Sequence, residues 1–222
     1  MSARPPLRLA ILISGRGTNM TAIARACQSG QINAQVALVI SDRAAAVGLE
    51  SARDLGLSTT TVLRAPDGER DEFEQRLAAV LDARKPDAIA LAGFMRILSP
   101  AFVGRYLGRM LNVHPSILPA YRGLHTHQRV LADRGKWHGA SVHFVTPELD
   151  GGPVILQSRL RVRPEDTEDT LSARVQATEY IIYPRVLDWF AQGRLAWQDG
   201  AAWLDGRRLE QPLVEDLGAP IQ

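Results

Sequence analysis

The chain is short of cysteine, of long apolar runs and of charge of one sign, and each shortage removes a class of function. A single cysteine, Cys27, leaves no partner for an internal disulfide and no thiolate set for zinc. It falls in a helical stretch, Ala22 to Gln28, so it reads as a small core residue rather than a nucleophile. No apolar run approaches the roughly 18 residues of a membrane span, and residues 1–6 are too short and polar to be a secretion signal. The expected location is therefore the cytoplasm, with no membrane partner. A balance of 26 basic against 24 acidic residues is too even to argue for nucleic acid. Internal repeats, low-complexity tracts and flexible linkers are missing too. The 222 residues are thus expected to form one domain with a sizeable core, as a monomer or homodimer.

What is present is an alternation of strands and helices. Leu7–Ile13, Gln35–Ile40, Thr59–Leu63 and Asp87–Ala92 read as apolar strands, and Arg70–Arg84 places Phe73, Leu77, Val80 and Leu81 on one helical face. Met110–Val113, Gly139–Thr146 and Val154–Val162 read as further strands, and Thr170–Phe190 as a long helix bent or interrupted near Pro184. Asp199-Gly200 between Leu195–Gln198 and Ala201–Leu204 signals a hairpin. This rhythm predicts an α/β fold with a mostly parallel central sheet and helices on both faces. A nucleotide-type, Rossmann-like half spans about residues 7–108, and a second half, about 109–205, completes the site.

Two motifs carry chemistry. Gly15-Arg16-Gly17-Thr18-Asn19 joins the first strand to the first helix, where glycines admit a ligand and helical N–H groups face an anion. A larger side chain at 17 is expected to abolish phosphate binding while leaving the fold intact. No Gly-Lys-Ser/Thr follows, and Met20 replaces the third glycine of the dinucleotide fingerprint. Asp42 nevertheless stands where a ribose-binding acid would, which keeps a nicotinamide enzyme open as an alternative. The second motif is Asn112-Val113-His114-Pro115-Ser116. Two polar side chains two residues apart share one strand face, and Pro115 ends the strand. With Asp150 returning in an Asp-Gly-Gly turn, an amide donor, an imidazole and a carboxylate suit acyl transfer. Ser116 reads as a turn residue rather than a nucleophile, because no Gly-x-Ser-x-Gly elbow surrounds it. His125-Thr126-His127 lacks a nearby carboxylate or cysteine, so no metal is expected. Ser141 and His143, on the strand of residues 139–146, are expected to support the site. A non-catalytic nucleotide-binding module remains allowed by fold alone.

Leu91–Pro100, Leu111-Asn112-Val113-His114-Pro115-Ser116, Ser141–Val145 and Leu149-Asp150-Gly151-Gly152-Pro153 resemble the formyltransferases that use formyltetrahydrofolate. The resemblance runs from about Leu7 to Arg208 and is strongest to those members that formylate glycinamide ribonucleotide in purine synthesis. It implies 10-formyltetrahydrofolate as co-substrate, no metal, and small molecules rather than nucleic acid as partners. Related enzymes acting on methionyl-tRNA or hydrolysing formyltetrahydrofolate carry an additional domain, for which this length leaves no room. The resemblance further implies that Gly17, Thr18 and Asn19 hold the substrate phosphate and that Glu179 meets the glycinamide or ribose. By the same likeness Arg70, Met95, Arg96, Ile97, Leu98 and Asn112 hold the folate. Asn112 and a protonated His114 would stabilise the formyl oxyanion, while Asp150 keeps His114 charged and accepts the amine's proton.

Overall fold

Apolar runs of three to eight residues become strands because both faces of the sheet they build are covered. The computed structural model describes residues 5–64 and 69–217. The first half runs β1 (Leu7–Ile13), α1 (Thr18–Gln28), β2 (Ala34–Ser41), α2 (Val47–Asp54), β3 (Thr59–Thr61), α3 (Arg70–Arg84) and β4 (Ala88–Leu91). It continues with α4 (Pro100–Arg105), β5 (Met110–His114), α5 (Thr126–Ala132), β6 (Trp137–Phe144), β7 (Val154–Arg161) and α6 (Glu168–Ala191). Four short strands close the described chain: β8 (Leu195–Gln198), β9 (Ala201–Leu204), β10 (Arg207–Arg208) and β11 (Leu213–Asp216).

Eight strands form one sheet in the order β11-β7-β6-β5-β4-β1-β2-β3. All its pairings are parallel except those of β6, which runs antiparallel to both β5 and β7. Successive residues of β1 point to opposite faces. Leu9, Ile11 and Ile13 pack with Ile23, Leu49, Val175 and Tyr183 on the face carrying α1, α2 and α6. Ala10 and Leu12 pack with Leu38, Ile40, Phe73, Leu77 and Phe102 on the face carrying α3 and α4. The fold is the mostly parallel α/β sheet that the alternation of elements predicts.

Two local expectations change, and two short helices are added. Pro184 lies buried inside α6 and does not interrupt it, since the helix continues to Ala191. A proline in a helix interior costs about 3 kcal/mol or more, and burial of Ile182, Tyr183, Val186 and Leu187 around it offsets that cost. The strand expected over 139–146 begins two residues earlier and ends at Phe144. Helices α4 and α5, of six and seven residues, are too short to show a helical period in the sequence.

Candidate active site

The site grows out of the alternation of β5. Asn112 lines a cleft on the α3/α4 face, and its neighbour Val113 lines a second cleft on the α1/α6 face. Both clefts lie beyond the carboxyl ends of the parallel strands, where open α/β sheets bind ligands. The reversed direction of β6 places His143 opposite Asn112 and Ser141 opposite His114. Four polar side chains thereby share one face of the sheet.

Their hydrogen bonds assign their protons. His143 Nδ1 lies 2.9 Å from the Phe144 carbonyl, which only accepts, so Nδ1 donates. Nε2 of a neutral ring is then an acceptor, and Asn112 Nδ2 donates to it at 3.1 Å. Burial pushes the His143 imidazole down to about 4, so the ring is neutral at physiological pH. Asn112 keeps its other amide proton for the cleft. His114 Nε2 donates to the Tyr121 carbonyl at 2.9 Å, while Nδ1 stands 3.4 Å from Asp150 Oδ2. Acceptors on both sides suit an imidazolium. Asp150 adopts φ 48°, a left-handed conformation that Asp tolerates better than most residues. Gly123 N–H donates to its Oδ2 at 2.9 Å, and Oδ1 has no hydrogen-bond partner among the described residues. The Asp-Gly-Gly turn is sterically required, because a Cβ on Gly152 would sit 1.8 Å from the Phe144 carbonyl oxygen.

The chain thus brings Asn112, His114 and Asp150 together, but unequally. Asn112, His143 and Asp150 line the cleft, whereas His114 is 6% exposed behind Asp150 with both nitrogens engaged. Ser141 stands further back: its hydroxyl donates to the Ser116 carbonyl and accepts from Leu118 N–H and Gln157 Nε2. It shapes the loop after β5. Ser116 gives its own hydroxyl to the Ala120 carbonyl at 2.6 Å and is fully buried, which disposes of a serine nucleophile.

The second cleft, of about 340 Å³, is built on the glycine-containing turn. Gly17 caps α1 at φ 71°, and a Cβ there would meet Gly48 Cα at 2.8 Å. The position requires glycine for conformation and for space, so the expectation that a larger residue would spare the fold is corrected. Thr18 Oγ1 accepts from Gln176 Nε2 at 3.2 Å. Asn19 Nδ2 donates to Glu179 Oε2 at 2.7 Å, and Asn19 Oδ1 is buried without a hydrogen-bond partner among the described residues. An orphaned acceptor on a cleft wall is a ready contact for a ligand hydroxyl or N–H. Burial raises the Glu179 carboxyl to about 7, against the opposing bond from Asn19.

The segment after β4 passes between the clefts. Met95 lines the glycine-turn cleft, while Arg96, Ile97 and Leu98 line the Asn112 cleft, so the four residues do not act as one wall. Arg70 is exposed at the start of α3 and lines neither. Asp42 is fully buried and bonded to Arg96 Nε at 2.6 Å, which removes it from the ribose-binding role of the nicotinamide alternative. His127 pairs with His138 at 3.0 Å rather than with His125. No group of three metal-ligating side chains occurs among the described residues. Burial pushes the Cys27 thiol up to about 11, far from a nucleophile's range. A hollow of about 470 Å³ at the opposite end of the sheet contains Cys27 and Arg8 but none of these groups. Sequence reasoning missed Ser172 and Gln176, which line the glycine-turn cleft with Glu179. Steps of four residues from Ser172 to Gln176 and three from Gln176 to Glu179 mark one helical face, a signal the sequence does contain.

Residues 7–187 match the family model described as formyl transferase. The phosphoribosylglycinamide formyltransferase of Escherichia coli (strain K12) is 51% identical over 203 residues, covering 91% of this chain and 96% of the relative. Its counterpart in Haemophilus influenzae is 43% identical over 202 residues, covering 91% and 95%. The solved structure of the Coxiella burnetii phosphoribosylglycinamide formyltransferase superposes with a TM-score of 0.89 at 47% identity, covering 94% of this chain and 99% of that one.

Proposed function

The chain belongs to the formyl transferase family, and from that premise we propose that it transfers the formyl group of 10-formyltetrahydrofolate to the amine of N1-(5-phospho-D-ribosyl)glycinamide, a step of purine synthesis. The observation that carries the reading is the pair of clefts meeting at β5, one with the Asn112 amide and Asp150, the other with a helix-start turn for phosphate. The ribonucleotide occupies the glycine-turn cleft, its phosphate on the N–H groups of Gly17, Thr18 and Asn19. Glu179, Asn19 and Gln176 meet its polar sugar or glycinamide atoms. The folate occupies the Asn112 cleft between Arg96, Ile97, Leu98 and the turn before Asp150. Met95 borders the point where the two substrates meet. Arg70 stands one helical turn before Glu74, whose carboxylate holds Ser99, but it lines neither cleft and is given no contact with the folate.

The amine nitrogen attacks the formyl carbon, and the carbonyl electron pair moves onto oxygen. Asn112 donates its free N–H to that oxyanion, a contact typically worth about 3–4 kcal/mol. His114 holds its Nε2–H against the Tyr121 carbonyl, so its donation to the oxyanion requires that carbonyl to be displaced. Asp150, held by Gly123 and His114 through Oδ2, receives the ammonium proton on Oδ1, directly or through a water. Collapse of the intermediate breaks the bond to N10, which takes that proton from Asp150, directly or through a water, and leaves as tetrahydrofolate. An amine is already nucleophilic, so positioning in two adjoining clefts supplies much of the rate. The test is a spectrophotometric formyl-transfer assay with glycinamide ribonucleotide as acceptor and methionyl-tRNA as competitor. Turnover with the ribonucleotide alone is expected; transfer to the tRNA instead would reject the acceptor assignment.

A further inference from the structure

Behind the one guanidinium lining the Asn112 cleft lies a carboxylate with no access to solvent. Asp42, the residue after β2, has a fully buried side chain and accepts from Arg96 Nε at 2.6 Å. Its other oxygen, Oδ1, has no hydrogen-bond partner among the described residues. An isolated buried carboxylate is costly, so compensation rests on a single guanidinium, which is thereby held in one orientation. Arg96 gives Nε inward, and both its Nη groups are without a partner among the described residues. The backbone on either side is pinned as well. Met95 N–H donates to Ser14 Oγ at 2.8 Å, and Ser99 N–H to Glu74 Oε1 at 2.7 Å.

We infer that Asp42 is a positioning residue for the formyl donor, aiming the Arg96 guanidinium at the acidic glutamate tail of the folate. The inference rests on the folate reading of this cleft. A guanidinium presenting two Nη groups side by side matches a carboxylate bidentately. The sign of the effect separates positioning from simple charge. Asp42 cancels the Arg96 charge, so if only net charge mattered, removing the carboxylate would strengthen the grip on an anionic tail. Positioning requires the opposite, because a guanidinium freed from its buried partner loses its fixed direction.

Steady-state kinetics of Asp42→Asn test this with two donors, 10-formyltetrahydrofolate and 10-formyltetrahydropteroate, which lacks the glutamate. The KM for the complete donor is expected to rise roughly five- to tenfold, as for loss of one oriented charged contact. The turnover number and the KM for the ribonucleotide stay near wild type, and the tail-less donor shows no difference between variant and wild type. A fall or no change in the KM for the complete donor, or an equal rise for both donors, would overturn the assignment. Should Asp42→Asn fold poorly, Arg96→Ala is compared with Asp42→Asn/Arg96→Ala. The double variant is expected to melt higher than Arg96→Ala, with the same donor KM; a further rise in that KM would count against Asp42 acting through Arg96. Equilibrium binding of tetrahydrofolate and tetrahydropteroate to wild type separates the two layers of the argument. Tail-independent affinity rejects the Asp42 assignment, whereas tail-dependent binding without formyl transfer rejects the reaction.

Discussion

Asn112 and His143 face each other across β5 and β6 with Nδ2 and Nε2 3.1 Å apart, and the bond holds the amide toward the cleft while the imidazole stays neutral. Replacing His143 by Phe removes the acceptor and leaves Asn112 free to turn. The expected result is a turnover number lower by roughly 10–100-fold with both KM values little changed, since an oriented oxyanion donor is typically worth about 3–4 kcal/mol when lost entirely. The acid limb of stability should change too. A histidine whose folded value is depressed contributes stability that is present above about 6.5 and lost as pH falls toward about 4. Chemical denaturation between pH 7 and 4 should show that decline in wild type and a shallower one in His143→Phe.

Truncating the catalytic groups separates their roles. Asn112→Ala is expected to lower the turnover number by about 10²–10³, and Asp150→Asn by about 10²–10⁴, with substrate binding preserved in both. His114→Ala should fall in the same range while leaving the Asn112–His143 bond untouched. Single-turnover measurements with both substrates bound give these losses directly. Unchanged turnover in His114→Ala would remove the imidazole from the mechanism.

Substitution of Gly17 should weaken the fold as well as the ligand. The residue is left-handed and 2.8 Å would separate a new Cβ from Gly48 Cα, so Gly17→Ala is expected to cost about 1–3 kcal/mol. Thermal unfolding reads this as a drop of several degrees. Gln176→Ala is the cleaner probe of the ribonucleotide, because among the described residues it loses only one side-chain bond, to Thr18 Oγ1. Its KM for the ribonucleotide should rise severalfold with an unchanged melting temperature and an unchanged donor KM.

Glu179 predicts a pH effect of the opposite sign to His143. Burial holds its carboxyl up at about 7, above the ordinary 4.5, so its term is fully favourable below about 4.5 and is lost as pH rises through 7. Across that window the buried group must ionise, at a cost on the order of a few kcal/mol. Urea melts from pH 5 to 8 should show wild-type stability falling on this account, and Glu179→Gln should flatten the slope.

Much of this is legible in the sequence. The strand at residues 7–13, the glycine turn and the helix after it could be read from local pattern alone, as could the hairpin at Asp199-Gly200. Asn112 and His114 were placed on one face by a two-residue period and ended by Pro115. The long-range partners were not legible. Nothing near Asp42 in sequence announces Arg96, and the two meet only because β2 and β4 flank β1 in the sheet. Pro184 misled for a related reason, since its penalty is local and the core burial that offsets it is not.

What the sequence by itself determined is the inventory: an α/β chain, a phosphate turn, and an amide, an imidazole and a carboxylate in order. Those follow from periodicity, turn chemistry and residue type, which act over a few positions. Only the tertiary structure decided what each group can do. It hid His114 behind Asp150, made His143 the acceptor that aims Asn112, and turned Asp42 from a ribose acid into the anchor of Arg96. Protonation and hydrogen-bond direction depend on burial and on partners far away in the chain, and those exist only once the sheet has formed.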